Sequence, residues 1–125
     1  MFHGSMVAIV TPFTKAGDVD TRALCDLVER HIEAGTQGIV VTGTTGESGT
    51  LTHDEKMLAI RTVVDAVHER IAVIAGVAEN ATAAAIRSCK DVMGLGVDAV
   101  LVLTPYYIKP TQEGLYQHFK AIAEA

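Results

Sequence analysis

Two cysteines, Cys25 and Cys89, are all that the chain has, and neither belongs to a CxxC pair. Both lie inside helical patterns, so they read as buried free thiols in a reducing compartment rather than as a disulfide. Lys and Arg are scattered and the formal net charge is −5, which argues against nucleic acid and against an anionic membrane surface as partners. No apolar run approaches the length needed to span a bilayer. Met1 to Ser5 carries no basic region ahead of an apolar core, so no export signal is read and a cytoplasmic location is expected. His3, His31, His53, His68 and His118 fall on separate elements without ligand spacing, and no metal site is expected. Both standard nucleotide fingerprints are missing. Gly43 is followed two positions later by Thr45, and Glu47-Ser48 stands where a P-loop requires Lys-Ser/Thr.

What is present is a globular composition, 49% hydrophobic against 20% charged, over a length that suits one domain. Four apolar runs, Val7 to Val10, Ile39 to Val41, Ile71 to Ala75 and Ala99 to Leu103, recur about every thirty residues. A patterned helix follows each. The first places Leu24, Leu27, Val28, His31 and Ile32 on one face and stops at Gly35. The second opens on a capping box, Thr52 with Glu55, and turns Met57, Ile60, Val63, Val64 and Val67 inward. The third, from about Thr82, turns Ile86, Cys89 and Met93 inward, and the fourth, from about Thr111, carries Leu115, Phe119 and Ile122.

Strands apolar on both faces that alternate with helices require a parallel sheet with right-handed crossovers. A small doubly wound sheet and part of an eight-stranded barrel both satisfy this. The unit spacing and the missing nucleotide fingerprint favour α/β architecture of the (β/α)8 TIM barrel family, with only four βα units present. Such a barrel takes roughly 250 residues. Four units alone leave the outer strands unpaired and bare the inner face of the sheet. Residues 1–125 are therefore expected to be a fragment of a longer product, or else to pair with another copy.

The chemistry is placed in Val40 to Gly49, where a buried strand gives way to glycines and hydroxyls ahead of a helix. Gly43, Gly46 and Gly49 permit positive φ and close approach to a ligand. Thr44, Thr45 and Ser48 supply hydroxyls, and backbone N–H groups near a helix N-terminus favour a small anion, carboxylate or phosphate. Turn chemistry alone would also account for Gly-x-x-Gly after a strand. Glu47 reads as a loop-organising hydrogen-bond acceptor. Tyr106 and Tyr107, following a strand, read by default as packing aromatics.

Gly43-Thr44-Thr45-Gly46-Glu47-Ser48, Thr104-Pro105-Tyr106-Tyr107 and Gln112 to Phe119, with Val7 to Phe13 as first strand, resemble the dihydrodipicolinate synthase family over essentially the whole chain. The resemblance implies that residues 1–125 are the N-terminal half, the first four βα units, of a TIM-barrel class I aldolase, a lyase of lysine and diaminopimelate biosynthesis. In that family a lysine forms a Schiff base with pyruvate, and the enamine attacks aspartate semialdehyde; no cofactor is implied. Thr45 matches the residue that holds the pyruvate carboxylate. Thr44 matches a proton-relay hydroxyl, and Tyr107 the relay tyrosine that reaches a neighbouring subunit's site. A homo-oligomer, a tetramer of tight dimers in the full-length family, is implied as well. Ser48, His53, Asn80 and Tyr106 match positions at which the family binds lysine as a feedback inhibitor. Gly49, Lys56 and Ala84 depart from the pattern of sensitive members, so inhibition is expected to be weak or absent. Lys15, Lys56, Lys90, Lys109 and Lys120 do not match the nucleophile, and this chain alone is expected to be inactive. A sister class I aldolase of the N-acetylneuraminate lyase kind and a non-catalytic, self-associating half-barrel are the competing readings.

Overall fold

Each apolar run becomes a strand and each amphipathic stretch the helix that returns the chain. The computed structural model describes residues 2–125. In order they form β1 (Met6–Ala8), α1 (Thr21–Glu33), β2 (Gly38–Val41), α2 (His53–Val67), β3 (Ala72–Val77), α3 (Thr82–Met93), β4 (Ala99–Val102) and α4 (Gln112–Ala123). The sheet is wholly parallel, with strand order β1-β2-β3-β4. Sequential order without reversal is the winding of a (β/α)8 barrel; a doubly wound sheet would reverse at a switch point. No helix among the described residues is long and apolar enough to cross a membrane.

One face of the sheet makes the core. Ile39, Val41, Val73, Ala75 and Val77 are buried there against Leu24 and Val28 of α1 and Ala59, Ile60, Val63 and Val67 of α2. The opposite face carries the registered row Ala8–Val40–Ile74–Ala99 and the pair Gly76–Leu101. Those residues lie outside the core cluster, and Leu101 is 49% exposed.

Helix starts follow from side-chain chemistry. Asp20 accepts from the Ala23 N–H at 3.0 Å to open α1. The Thr52–Glu55 capping box is formed at the start of α2, and Thr111 accepts from the Gly114 N–H at the start of α4. Arg70 joins the far ends of two units, pairing with Glu29 and donating from Nε to the Val67 carbonyl at 2.9 Å.

Several expectations are corrected. β3 does not end before Gly76 but runs through it to Val77. The inward stripe of α3 is Ala85, Cys89 and Val92, while Ile86 is half-buried and Met93 is 48% exposed. Small Ala85 lets the helix sit close to the sheet, which turns the larger Ile86 and Met93 onto the flank facing Phe119 and Ile122 of α4. Cys25 is half-buried rather than buried. In α4 the buried side chain is His118, whose Nδ1 lies 2.9 Å from the Thr82 hydroxyl, while Leu115, Phe119 and Ile122 are half-buried.

Candidate functional site

The segment after β2 is held from three sides before any of its hydroxyls meets solvent. Thr42 turns into the left-handed region, φ 53°, and is buried, with its hydroxyl 2.7 Å from the Val41 carbonyl and 3.2 Å from that of Gly76. The crossing with β3 is close enough to require glycine there. A Cβ on Gly76 would lie 2.8 Å from the Thr42 carbonyl carbon and 2.9 Å from Gly43 Cα. From the β1 side, the Thr11 hydroxyl donates to the Gly46 carbonyl at 2.7 Å. Within the loop, the Ser48 N–H donates to Gly43 O and the Glu47 N–H to Thr44 O.

The expected positive φ at Gly43, Gly46 and Gly49 is not found; Thr42 and Glu47, φ 59°, take that conformation instead. Glycine at 46 serves clearance, since a Cβ there would lie 3.1 Å from the Ile9 carbonyl oxygen and 3.2 Å from Thr11 Oγ1. Glu47 organises the loop, but through its backbone. Its carbonyl accepts from the N–H and hydroxyl of Thr50, and the residue is exposed. Nor is the N-terminus of α2 a free anion site. The Glu55 carboxylate accepts from the Thr52 N–H at 2.7 Å and sits against the Thr52 hydroxyl, and these bonds hold its pKa below the usual glutamate range.

This framework leaves Thr44 and Thr45 exposed, side by side in sequence, on the rim of a cavity of about 380 Å³. Ala8, Val40 and Leu101 of the bare sheet face form its apolar wall, and Tyr106 closes one side. Gly49 borders it as well. Ser48 also lines it and is 2% exposed, with a hydroxyl that has no hydrogen-bond partner among the described residues. The place is the C-terminal end of a parallel sheet, where barrel enzymes carry their chemistry. An apolar floor with a few hydroxyls on the rim suits a small ligand that bears one polar or anionic end.

Thr44, Thr45, Ser48, Gly49 and Tyr106 are thus brought together. Tyr107 is not. It stands 96% exposed, in the left-handed region at φ 71°, beside the cavity rather than in it. Neither tyrosine packs as sequence alone suggests, for Tyr106 is 52% exposed. Asn80 joins the rim indirectly, its side-chain oxygen accepting from the Tyr106 N–H at 2.8 Å. His53 borders a second recess, of about 190 Å³, behind Gly76 to Ala78. There Lys56 and Glu79 lie 3.9 Å apart, Ser88 donates to Glu79, and His53 is 3.9 Å from Asp91 at the edge. Ala84 is half-buried on α3 and lines neither space.

Thr11 and Gly76 escape sequence reading as parts of the site, and Thr42, inside the stretch where the chemistry is placed, is given no role of its own. Thr11 ends its apolar run and Thr42 follows its own, and a hydroxyl at the C-terminal end of a parallel strand is the signal that points to both.

The profile of the Dihydrodipicolinate synthetase family matches residues 1–125. Two curated 4-hydroxy-tetrahydrodipicolinate synthases are similar over the whole of this chain. That of Syntrophus aciditrophicus (strain SB) is 56% identical over 125 residues, 43% of its own length. That of Thioalkalivibrio sulfidiphilus (strain HL-EbGR7) is 58% identical, with 42% of its length covered. Among solved structures, the chloride-inhibited dihydrodipicolinate synthase from Acinetobacter baumannii complexed with pyruvate superposes with a TM-score of 0.95 at 55% identity, over 98% of this chain and 42% of that one. The chain therefore spans a little over two-fifths of the length of these relatives, and its four units match the first part of their barrel.

Proposed function

The chain belongs to the dihydrodipicolinate synthetase family, and from that premise we propose that it forms the N-terminal half of a 4-hydroxy-tetrahydrodipicolinate synthase. The reaction is condensation of pyruvate with aspartate semialdehyde through a Schiff base. The observation that carries this reading is the pair Thr44 and Thr45, presented over a cavity at the C-terminal end of the sheet. Thr45 holds the pyruvate carboxylate through its hydroxyl and N–H. Thr44 passes protons during imine formation, a task for which a neutral hydroxyl avoids leaving a buried charge. The pyruvate complex of the Acinetobacter relative supports pyruvate as first substrate. Tyr107, turned outward, is suited to reach the site of a neighbouring subunit in a homo-oligomer.

The nucleophile is supplied from outside residues 1–125. A Schiff-base lysine needs a desolvated pocket to lower its pKa, and among the described residues no lysine lines the cavity that holds Thr44 and Thr45. This polypeptide by itself is inactive on that reading. Lysine binds only weakly beside Ser48, Gly49, His53, Asn80 and Tyr106, because Lys56 borders the recess at His53 with a like charge and Ala84 adds no carboxylate to offset it.

The test is a chimera in which residues 1–125 replace the matched part of the Syntrophus synthase. It should condense pyruvate with aspartate semialdehyde. Thr44→Val should lower kcat by about 10²–10⁴-fold, as for loss of a positioned acid–base group, and Thr45→Val should raise KM for pyruvate. A folded chimera without turnover, or a Thr44→Val form with full kcat, refutes the assignment. Borohydride reduction of the 125-residue polypeptide with pyruvate should leave its mass unchanged; a covalent adduct overturns the location of the nucleophile.

A further inference from the structure

We propose that Thr11 is a positioning residue for the reaction, acting on the Thr45 N–H through two peptide groups of the loop. The inference rests on the reading of Thr45 as the holder of the pyruvate carboxylate and extends it to a residue outside the loop. Thr11 lies in the segment that leaves β1 and is 5% exposed, and its hydroxyl donates to the Gly46 carbonyl at 2.7 Å. Nothing else among the described residues donates to that carbonyl. The same peptide group carries the Glu47 N–H, which donates to the Thr44 carbonyl at 3.0 Å. The peptide group of the Thr44 carbonyl in turn carries the Thr45 N–H. That N–H donates to no group among the described residues, and Thr45 borders the cavity.

In a trans peptide the C=O and N–H point in opposite directions. The bonds therefore share one polarity, from the Thr11 hydroxyl to the Gly46 carbonyl, from the Glu47 N–H to the Thr44 carbonyl, and from the Thr45 N–H outward. Each donor in such a series polarises the next, so the last N–H is a stronger donor to an anion than an isolated amide. Thr11 and Gly46 are both buried, where a low dielectric strengthens the first link and water does not compete for it. The two bonds also fix both peptide planes, so the aim of the Thr45 N–H is set before a carboxylate arrives. Residue 46 leaves room for this by lacking a side chain, since a Cβ there would lie 3.2 Å from Thr11 Oγ1. Loss of the Thr11 hydroxyl leaves a buried carbonyl unpaired and frees the Gly46–Glu47 peptide to turn toward another donor. Carboxylate binding suffers and proton transfer does not, because the Thr44 hydroxyl takes no part in the series.

Steady-state kinetics of the chimera test this. Thr11→Val keeps the shape of the side chain and removes its hydroxyl. It should raise KM for pyruvate about 3- to 10-fold, with kcat and KM for aspartate semialdehyde within about twofold of the parent. Thr11→Ser returns the donor and should return KM for pyruvate to the parent value. Gly35→Ala, strained at φ +83° beyond the end of α1, loses stability away from the site and should leave that KM unchanged. Should Thr11→Val fail to fold, or the chimera fail to turn over, amide hydrogen exchange of the chimera without pyruvate decides. Glu47 should be protected and Thr45 should not. An unprotected Glu47 amide, a protected Thr45 amide, or a Thr11→Val form with the parent KM overturns the proposal. So does a fall in kcat in place of the rise in KM, a Thr11→Ser form no better than Thr11→Val, or an equal rise in Gly35→Ala. Thr45→Val separates this from the reading beneath it. An unchanged KM for pyruvate in Thr45→Val refutes that reading, whereas a raised KM there with an unchanged one in Thr11→Val refutes the role of Thr11 alone.

Discussion

A single methyl group at position 76 tests whether the crossing of β3 with Thr42 sets the position of the candidate site. In Gly76→Ala the new Cβ would meet the Thr42 carbonyl carbon at 2.8 Å and Gly43 Cα at 2.9 Å. Ordinary van der Waals contact begins near 3.4 Å and the Thr42 carbonyl oxygen lies closer still than its carbon, so the two backbones must part by more than about 0.6 Å. Neither obstacle is a side chain that can rotate away. Overpacking of a filled region costs about 1–3 kcal/mol, partly offset by the roughly 0.4–1 kcal/mol that Gly→Ala recovers from the unfolded chain. The net expectation is a loss of about 1–2 kcal/mol by urea denaturation at fixed protein concentration, with an unchanged denaturant slope. Two companions separate clearance from conformation. At Gly49 nothing lies within 4 Å and φ is not in the left-handed region, so Gly49→Ala should be neutral or slightly stabilising. At Gly35 there is equal room but φ is +83°, so Gly35→Ala should cost about 1–2 kcal/mol from backbone strain alone. Because Gly43 leads directly into Thr44 and Thr45, the same displacement should lower kcat in the chimera by about tenfold or more. A Gly76→Ala protein as stable as Gly49→Ala refutes the account of the crossing. Lost stability with unchanged turnover would refute only its link to the site.

Acid should weaken the fold in part through Glu29, whose pKa the hydrogen bond from Arg70 holds below the usual range. A depressed carboxyl stabilises above its unfolded pKa and stops doing so as pH falls through its folded value. The melting-temperature difference between the parent and Glu29→Gln should therefore shrink on acidification below about pH 4; a difference constant down to that range sinks the assignment. Cys89 is buried and its thiol is pushed up by desolvation, whereas Cys25 is half-buried. An aromatic disulfide reagent should thus label Cys25 well before Cys89 in the native protein, and equal rates would contradict the burial.

The winding was legible because the period of the apolar runs and the stops after them are local signals. The start of α2 was legible too, since a capping box needs only Thr52 and Glu55 three residues apart. The inward face of α3 was not, because Ala85 with Val92 and Ile86 with Met93 make adjacent apolar stripes. Size breaks that tie through the close approach of helix to sheet, a property of two elements and not of one. The loop shows the same limit more sharply. Its glycines suggest flexibility at 43, 46 and 49, yet the left-handed turns fall on Thr42 and Glu47, which the surroundings hold there. Thr11, from the segment that leaves β1, and Gly76, from β3, arrive from some 35 residues away on either side to grip that loop. No pattern within Val40 to Gly49 encodes either grip. What the loop's own sequence specifies is which hydroxyls are offered; where they are offered is decided by β1 and β3. A substitution in those strands that leaves every loop residue intact should therefore disturb the site as surely as one within it, and Gly76 is the position at which the geometry makes that unavoidable.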